Sequence, residues 1–164
     1  MSGLSPKRVR DSQITMTQQM LPSDANPYGN VHGGVIMKLI DSAAGACAGR
    51  HARQRVVTVR VDELSFVAPV VVGDLVYAKA SVNDVGRTSI EVGVRVEAEN
   101  VLTGKLVHVS SAYLVFVAID GRGHSVPVPP ILAESPDELR RQQAARRRRE
   151  LRLQRPRGDT RTPA

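Results

Sequence analysis

The sequence is poor in aromatic residues and has no tryptophan. Its 164 residues include two phenylalanines and three tyrosines, which make up 3% of the chain. Proteins that bind single-stranded nucleic acid commonly stack bases on aromatic side chains, so this composition argues against that function. The hydrophobic fraction of 41% must come mainly from aliphatic residues, and with this length it suits one domain with one core.

Cysteine and long apolar runs are also scarce. The single cysteine, Cys47, allows no internal disulfide and no cysteine-based metal site. Met1 to Arg10 lacks the apolar stretch of a secretory signal, and no apolar run is long enough to span a membrane. We therefore expect a protein of the reducing cytoplasm. The four histidines show no zinc-ligand spacing: His32, His51, His108 and His124.

Positive charge is in excess, but it is concentrated at one end of the chain. The formal net charge is +7. Residues 139–164 hold ten arginines and two acidic residues, whereas residues 1–138 hold thirteen basic and fourteen acidic residues. The main body is therefore nearly neutral, and the basic character belongs to a C-terminal appendage. A neutral body argues against nucleic acid as the main partner.

The spacing of apolar residues predicts one strand, one long helix and then four more strands. The first strand covers 14–20, a loop rich in proline and glycine covers 21–29, and helical spacing runs from about His32 to His51. Alternating patterns follow at 55–67, 75–83, 88–99 and 105–119. Because the turns between them are short, we expect an antiparallel sheet of five or more strands around one central helix.

These patterns divide the chain into four segments. We expect a flexible N-terminus over 1–10, a globular α+β domain over 11–134, an arginine-rich helix over 135–154 and a disordered tail over 155–164. Ser135 to Glu138 has the pattern of a capping box with proline at the first helical position. The apolar residues of this helix are sparse, so we expect it to dock weakly or to fray. Within the domain, the alternation slips near Glu63, which predicts a β-bulge.

The long helix begins after a pair of glycines and carries one carboxylate. The segment reads Gly29-Asn-Val-His-Gly-Gly-Val-Ile-Met-Lys-Leu-Ile-Asp41. Glycine and alanine occur on many sides of the helix, so we expect it to be buried all round. A buried carboxylate is costly unless it is paired or used. Asp41 therefore either pairs with Lys38 on the adjacent turn or belongs to a functional site.

The glycine pair lies where the first N–H groups of the helix have no partner within the helix. Gly33 and Gly34 either make an ordinary join of loop to helix or let a substrate oxygen approach these amides, which would stabilise an oxyanion. Asp41 lies seven residues beyond Gly34, which is roughly 10 Å along a helix. One helix therefore cannot bring both groups to one reacting atom. A second copy, packed antiparallel, could do so, and this spacing predicts a site shared across a dimer.

Other polar residues allow two interpretations each. Asn30 can cap the helix or hold a water molecule or a substrate carbonyl. His32 can act as a base or as a structural hydrogen-bond donor. Further along the chain, Arg87, Thr88 and Ser89 form a turn with a cation and hydroxyl groups, which suits a phosphate. Such a turn is more commonly an ordinary solvated hairpin.

A series of short motifs runs along residues 12–135. They are Met20-Leu-Pro-Ser-Asp24, Gly29-Asn-Val-His-Gly-Gly34, Met37-Lys-Leu-Ile-Asp41, Phe66-Val-Ala-Pro69 with Val72-Gly-Asp74, Asn100-Val-Leu-Thr-Gly104 and Val126-Pro-Val-Pro-Pro130. The full series resembles the acyl-CoA thioesterases of the hotdog fold, in the group of the bacterial YciA-type and animal brain-type acyl-CoA hydrolases. The resemblance implies a hotdog fold and homodimers that assemble further, into tetramers or hexamers.

The resemblance also implies hydrolysis of medium- to long-chain fatty acyl-CoA to free acid and CoA. It implies no metal and no cofactor, since CoA is part of the substrate and product. The catalytic groups are expected on five residues: Asp41 as the carboxylate, Asn30, the amides of Gly33 and Gly34, and His32. Contacts with the CoA phosphates are expected on five others: Arg87, Thr88, Ser89, Arg140 and Arg141.

Three other functions compete with this interpretation. A non-catalytic hotdog protein would bind acyl-CoA in the same groove without cleaving it, but the intact pair of Asn30 and Asp41 argues against that function. A nucleic-acid-binding protein would work through the arginine-rich tail. A hotdog dehydratase would need a His/Asp arrangement that this sequence lacks.

Overall fold

A computed structural model describes residues 3–154 of the chain. Its elements are β1 (Lys7–Arg8), β2 (Ile14–Gln19), α1 (Gly33–Ala52), β3 (Arg55–Phe66), β4 (Leu75–Val85), β5 (Ser89–Asn100), β6 (Lys105–Ile119), β7 (Ile131–Leu132) and α2 (Pro136–Gln154). Five strands form one antiparallel sheet in the order β2-β4-β5-β6-β3, and α1 packs against it. This confirms the predicted α+β architecture. Neither helix of the described range is long and apolar enough to cross a membrane.

The hydrophobic core lies between α1 and the sheet. Small and β-branched side chains fill it, and Ala43 and Cys47 of α1 are as fully buried as Val92 and Ala112 of the strands. Small residues let the helix and the sheet approach closely, which is why the core needs so few aromatic side chains. Burial raises the pKa of the Cys47 thiol to about 12. This thiol therefore stays protonated and serves as packing rather than as a nucleophile.

The helix α1 is buried on one side only, which corrects the prediction of a helix buried all round. Met37, Lys38 and Asp41 are exposed. Small residues favour close packing, but their spacing does not say which faces of the helix have a neighbour in the single chain. In the single chain the carboxylate of Asp41 is therefore solvated. It needs no charged partner to offset a cost of burial.

One edge of the sheet is an apolar strand. In the described part of the chain, β3 pairs only with β6, and its register slips twice between Thr58 and Glu63, which confirms the predicted bulge. Three of its valines are largely exposed: Val57, Val59 and Val61 are 41%, 54% and 49% exposed. Exposed edge strands with apolar side chains pair readily with another strand.

The N-terminal segment joins the domain, whereas the sequence predicts a flexible N-terminus over 1–10. The strands β1 and β7 pair in parallel, and Val9 is buried. Arg8 also forms an ion pair with Glu134 at 3.2 Å. A pairing of two residues with a distant part of the chain leaves no periodic pattern, so the sequence alone did not indicate it.

His51 lies near the C-terminal end of α1, fully buried beneath the segment that leads into β7. Its Nε2 donates to the carbonyl of Pro129 at 2.8 Å, and its own carbonyl accepts a hydrogen bond from Lys7 Nζ at 2.6 Å. Its Nδ1 has no partner among residues 3–154. Burial is the main cause that lowers the pKa of His51 from its ordinary value of 6.5.

The free energy of unfolding should therefore decline as the pH falls below about 6.5. In the unfolded chain His51 takes up a proton near that pH, whereas the folded chain resists protonation, so acid favours the unfolded state. We expect the urea midpoint to fall between about pH 6.5 and pH 5, and to fall less in the His51→Gln variant. An equal decline in both proteins would contradict this role of His51.

The helix α2 begins where the capping box predicts. Ser135 Oγ accepts a hydrogen bond from the Glu138 N–H at 3.2 Å, and the Glu138 carboxylate accepts one from the Ser135 N–H at 3.1 Å. The helix lies on the sheet opposite α1, and Ala145 is 1% exposed there. The disordered tail predicted over 155–164 lies outside the described residues.

The contacts that hold α2 are mainly ionic rather than apolar, and the weak docking predicted from its few apolar residues stays a prediction. Arg148 pairs with Glu91 at 2.6 Å, and Arg152 bridges Glu91, at 3.1 Å, and Asp62. The guanidinium of Arg148 also lies 3.7 Å from the centre of the Tyr113 ring. These arginines are engaged by the chain's own carboxylates, which further weakens the case for a nucleic-acid-binding helix.

Candidate active site

A cavity of about 430 Å³ opens beside the N-terminal end of α1. Its polar lining consists of Asn26, Asn30 and Gly33, and its apolar lining includes Phe66 and Val70. An apolar pocket with a few convergent polar groups suits a ligand that has a polar reactive head and an apolar chain.

The loop before α1 is held by backbone and amide hydrogen bonds. Asn26 Oδ1 accepts hydrogen bonds from the N–H groups of Tyr28, at 2.9 Å, and of Asn30, at 3.3 Å. The Asn26 N–H donates to the Asn30 carbonyl at 2.7 Å, and the Val31 N–H donates to the Val70 carbonyl at 2.8 Å. The loop therefore presents both asparagines to the cavity in a fixed geometry.

The residue that caps α1 is His32 and not Asn30. His32 Nδ1 accepts a hydrogen bond from the Gly34 N–H at 3.0 Å, which leaves the proton of a neutral ring on Nε2. Asn30 instead forms an extended bridge with Val71, so the helix begins beyond its reach. The capping role predicted for Asn30 is thus wrong, and its side chain is left for another use.

The structure distinguishes the two predicted oxyanion amides. Gly34 donates its N–H to His32, whereas the N–H of Gly33 has no hydrogen-bond partner within residues 3–154. Gly33 also borders the cavity, opposite the ring of Phe66. Of the two glycines, Gly33 therefore has the amide that can receive a developing negative charge.

Asp41 does not line this cavity, and its hydrogen-bond partner is not Lys38. Its Oδ1 instead accepts a hydrogen bond from Thr58 Oγ1 on β3 at 2.8 Å. Sequence analysis missed Thr58, because a threonine in an alternating strand gives no signal of a functional role. The contact fixes a carboxylate on the exposed side of α1, close to the open edge of the sheet.

The turn that contains Arg87, Thr88 and Ser89 does not meet the cavity. The carbonyl of Arg87 accepts a hydrogen bond from the Val128 N–H, and the carbonyl of Thr88 accepts one from the Ala118 N–H. The backbone of this turn therefore ties the C-terminal segment to the sheet.

Arg140 and Arg141 lie elsewhere again, at the start of α2. Both pair with Asp137, and both line a separate groove on the outer face of the sheet. Of the ten predicted site residues, only Asn30 and Gly33 line the cavity beside α1, flanked by His32 and Gly34. Within residues 3–154, no cluster of three histidine, cysteine or acidic side chains could hold a metal ion.

Comparison with known proteins agrees with the fold. Residues 28–105 match the model of the Thioesterase superfamily. The chain is 35% identical over 130 residues to the uncharacterized acyl-CoA thioester hydrolase YkhA of Bacillus subtilis, a match that covers 79% of this chain and 76% of that protein.

Solved structures are similar over nearly the whole chain. A hexameric acyl-CoA thioesterase in its apo form is 35% identical with a TM-score of 0.89, covering 92% of this chain and 96% of that one. The acyl-CoA hydrolase of Staphylococcus aureus, solved with butyryl-CoA and CoA, is 32% identical with a TM-score of 0.84, covering 90% of each chain. The same hydrolase has been solved with alanine in place of one aspartate, one asparagine or one threonine.

Proposed function

Because the chain belongs to the thioesterase superfamily and is an acyl-CoA thioester hydrolase, we propose that it cleaves its substrate in a site shared between two subunits. One subunit supplies the cavity with Asn26, Asn30 and Gly33, and the other supplies Asp41. The observation that carries this proposal is that Asp41, the exposed carboxylate held by Thr58, lies outside the cavity of its own chain.

The homodimer forms through the open edge of β3 in each subunit. In an antiparallel pairing of two identical strands, the start of one strand lies beside the end of the other. Thr58 lies near the start of β3 and holds Asp41, whereas Phe66 ends β3 and lines the cavity. Pairing therefore brings Asp41 of one subunit towards the cavity of the other. The hexameric state of a similar thioesterase supports further assembly of such dimers.

A second asparagine, Asn26, joins Asn30 as a candidate for the catalytic amide. In the Staphylococcus aureus hydrolase, the replaced asparagine precedes the replaced aspartate by 15 residues, and the replaced threonine follows it by 17. In this chain, Asn26 precedes Asp41 by 15 residues and Thr58 follows it by 17. The spacing supports Asn26 as the group that orients water or the carbonyl, and Thr58 as the residue that positions Asp41.

The reaction follows from these positions. The thioester carbonyl oxygen accepts a hydrogen bond from the Gly33 N–H, which stabilises the negative charge of the tetrahedral intermediate. Asp41 of the partner takes a proton from water as the water oxygen attacks the carbonyl carbon. The C–S bond then breaks, and the proton passes to the sulfur of CoA. Direct attack by Asp41 would instead give an anhydride, which water cleaves to the same products.

The apolar lining of the cavity supports an acyl chain as the second part of the substrate. Phe66, Val70 and their neighbours offer no charged group to a chain that lies beside α1. A preference for medium to long chains stays a prediction, and the Staphylococcus aureus hydrolase was solved with the short butyryl-CoA. Contacts between the CoA phosphates and Arg87, Thr88 and Ser89 also stay a prediction.

Release of free thiol from acyl-CoA esters of increasing chain length tests this function, with Asn26→Ala and Asn30→Ala as a matched pair. We expect the wild type to hydrolyse medium and long esters fastest. We expect Asn26→Ala to lose about a hundred-fold in kcat/KM and Asn30→Ala less than about ten-fold. A larger loss in Asn30→Ala than in Asn26→Ala would identify Asn30 as the residue with the catalytic amide. Binding of the esters without any release of thiol would identify a non-catalytic acyl-CoA-binding protein.

A further inference from the structure

A groove of about 580 Å³ lies on the outer face of the sheet, where β4, β5 and β6 pass beneath the start of α2. We propose that this groove, which we call the outer groove, binds a small molecule through a phosphate monoester. Four cationic side chains line it: Lys79, Arg95, Arg140 and Arg141. It shares no lining residue with the cavity beside α1.

The cations of the outer groove outnumber the carboxylates that pair with them. Lys79 and Arg95 both pair with the Glu97 carboxylate, and Arg95 Nε lies 2.8 Å from Glu97 Oε1. Arg140 and Arg141 share Asp137 in the same way. The four cations and two carboxylates leave two positive charges, which matches the charge of a phosphate monoester near neutral pH. The arginine guanidinium groups also have the geometry to hold phosphate oxygens.

A buried amide without a partner lines the same groove. Asn83 is 4% exposed, and its Nδ2 has no hydrogen-bond partner among the residues that the structure describes. It is the extra residue of a bulge in β4, where the register against β5 slips between Val82 and Asp84. Unsatisfied buried donors are rare, and bulges are frequent next to binding sites.

The strand opposite this bulge leaves room for the amide. Gly93 of β5 borders the groove, and a Cβ at that position would lie 2.7 Å from Asn83 Nδ2. Any other residue at Gly93 would therefore displace the Asn83 side chain. Glycine in the middle of a strand weakens the strand. Gly93 therefore makes room for the Asn83 amide at a cost in strand stability. Because Asn83 Nδ2 is buried, an oxygen of a bound phosphate would satisfy this donor once the side chain turns towards the groove.

The groove is suited to a phosphate rather than to a nucleobase. Its one aromatic residue, Tyr113, has a ring face covered by the guanidinium of Arg148 at 3.7 Å. Stacking on that face is blocked, which favours recognition by charge and hydrogen bonds. The phosphate could belong to CoA itself, through its 3′-phosphate, or to another phosphorylated metabolite.

Calorimetric titration of the intact oligomer with inorganic phosphate at low salt tests the proposal. We expect Arg140→Gln/Arg141→Gln to weaken phosphate binding about ten-fold or more, since each charge-assisted hydrogen bond contributes strongly. The matched control Arg122→Gln/Arg147→Gln removes two exposed arginines outside the groove. It should change the affinity less than about two-fold. Equal losses in both double variants, or no binding at about 10 mM phosphate, would overturn the proposal.

Asn83→Ala separates a binding role from a structural one. Because the amide is unsatisfied, its removal should leave the urea midpoint unchanged or higher while phosphate binding weakens several-fold. A lower midpoint with unchanged phosphate affinity would show that Asn83 only supports the fold, and would contradict its part in the site. Neither readout depends on thioester hydrolysis.

Competition identifies the source of the phosphate. If CoA displaces bound phosphate and 3′-dephospho-CoA does not, the outer groove recognises the 3′-phosphate of CoA. If neither displaces it while the arginine double variant still weakens binding, the ligand is a different phosphorylated metabolite. If both displace it equally and the arginine double variant matches its control, phosphate is bound elsewhere and the proposal fails.

Discussion

Replacement of Asp41 by asparagine should lower kcat by about a hundred- to ten-thousand-fold, the range of a lost general base. Asparagine keeps the size of the side chain, and its carbonyl can still accept the hydrogen bond from Thr58 Oγ1. We therefore expect a folded oligomer that binds acyl-CoA and does not cleave it. Release of free thiol measures the loss, and Glu150→Gln, which removes an exposed carboxylate of α2, is the control. Normal activity in Asp41→Asn would exclude Asp41 as the catalytic group.

Mixed oligomers test whether the site is shared. If Asn26 and Asp41 of different subunits form one site, a hybrid of Asp41→Asn and Asn26→Ala subunits regains one intact site in each dimer. Two affinity tags allow co-expressed hybrids to be purified, and we expect them to recover about half of the wild-type activity per dimer. Each variant alone should stay inactive. Hybrids as inactive as their parents would place both residues of a site in one chain.

The order of elements followed from local patterns, and for that reason it was predictable. Alternating valines gave the strands, and the slip near Glu63 gave a bulge at the right place. Which side chains of β3 the single chain buries was not predictable, because Val57, Val59 and Val61 turned out to be exposed. An apolar strand face can be covered by a second copy as well as by the chain's own helix.

Parts of the fold that depend on distant or ionic contacts were missed. The pairing of β1 with β7 joins two residues to a segment far along the chain. The docking of α2 depends on Arg148 and Arg152 meeting carboxylates on β3 and β5. Sequence analysis weighs a helix by its apolar residues and therefore did not anticipate these ionic contacts.

The candidate site was predictable where a helix sets the spacing. The distance between Gly34 and Asp41 already indicated that one chain cannot complete a site. Spacing could not show which asparagine of the loop reaches the site, because Asn26 and Asn30 have the same side chain and lie only four residues apart. Only the hydrogen bonds of the loop show that both line the cavity and that neither caps the helix.

Removal of Arg148 should destabilise the fold by about 3 kcal/mol, because it leaves a buried carboxylate with less compensation. The side chain of Glu91 is 3% exposed, and Arg148 Nη2 is 2.6 Å from its Oε1. Arg148→Leu also removes the contact of the guanidinium with the Tyr113 ring. Urea unfolding at equal protein concentration measures the loss, since oligomer stability depends on concentration. Arg147→Leu, on the exposed side of α2, should change the free energy of unfolding by less than about 0.5 kcal/mol.

The double variant Glu91→Leu/Arg148→Leu separates the cost of an unpaired charge from the value of the pair. Replacing both charges with apolar groups removes the desolvation cost together with the attraction, so the double variant should recover most of the stability that Arg148→Leu loses. Arg152 limits this recovery, because its guanidinium would keep Asp62 as a partner and lose Glu91. If the losses of the two single variants simply add, Glu91 and Arg148 do not interact in solution, and α2 must be held by its remaining contacts.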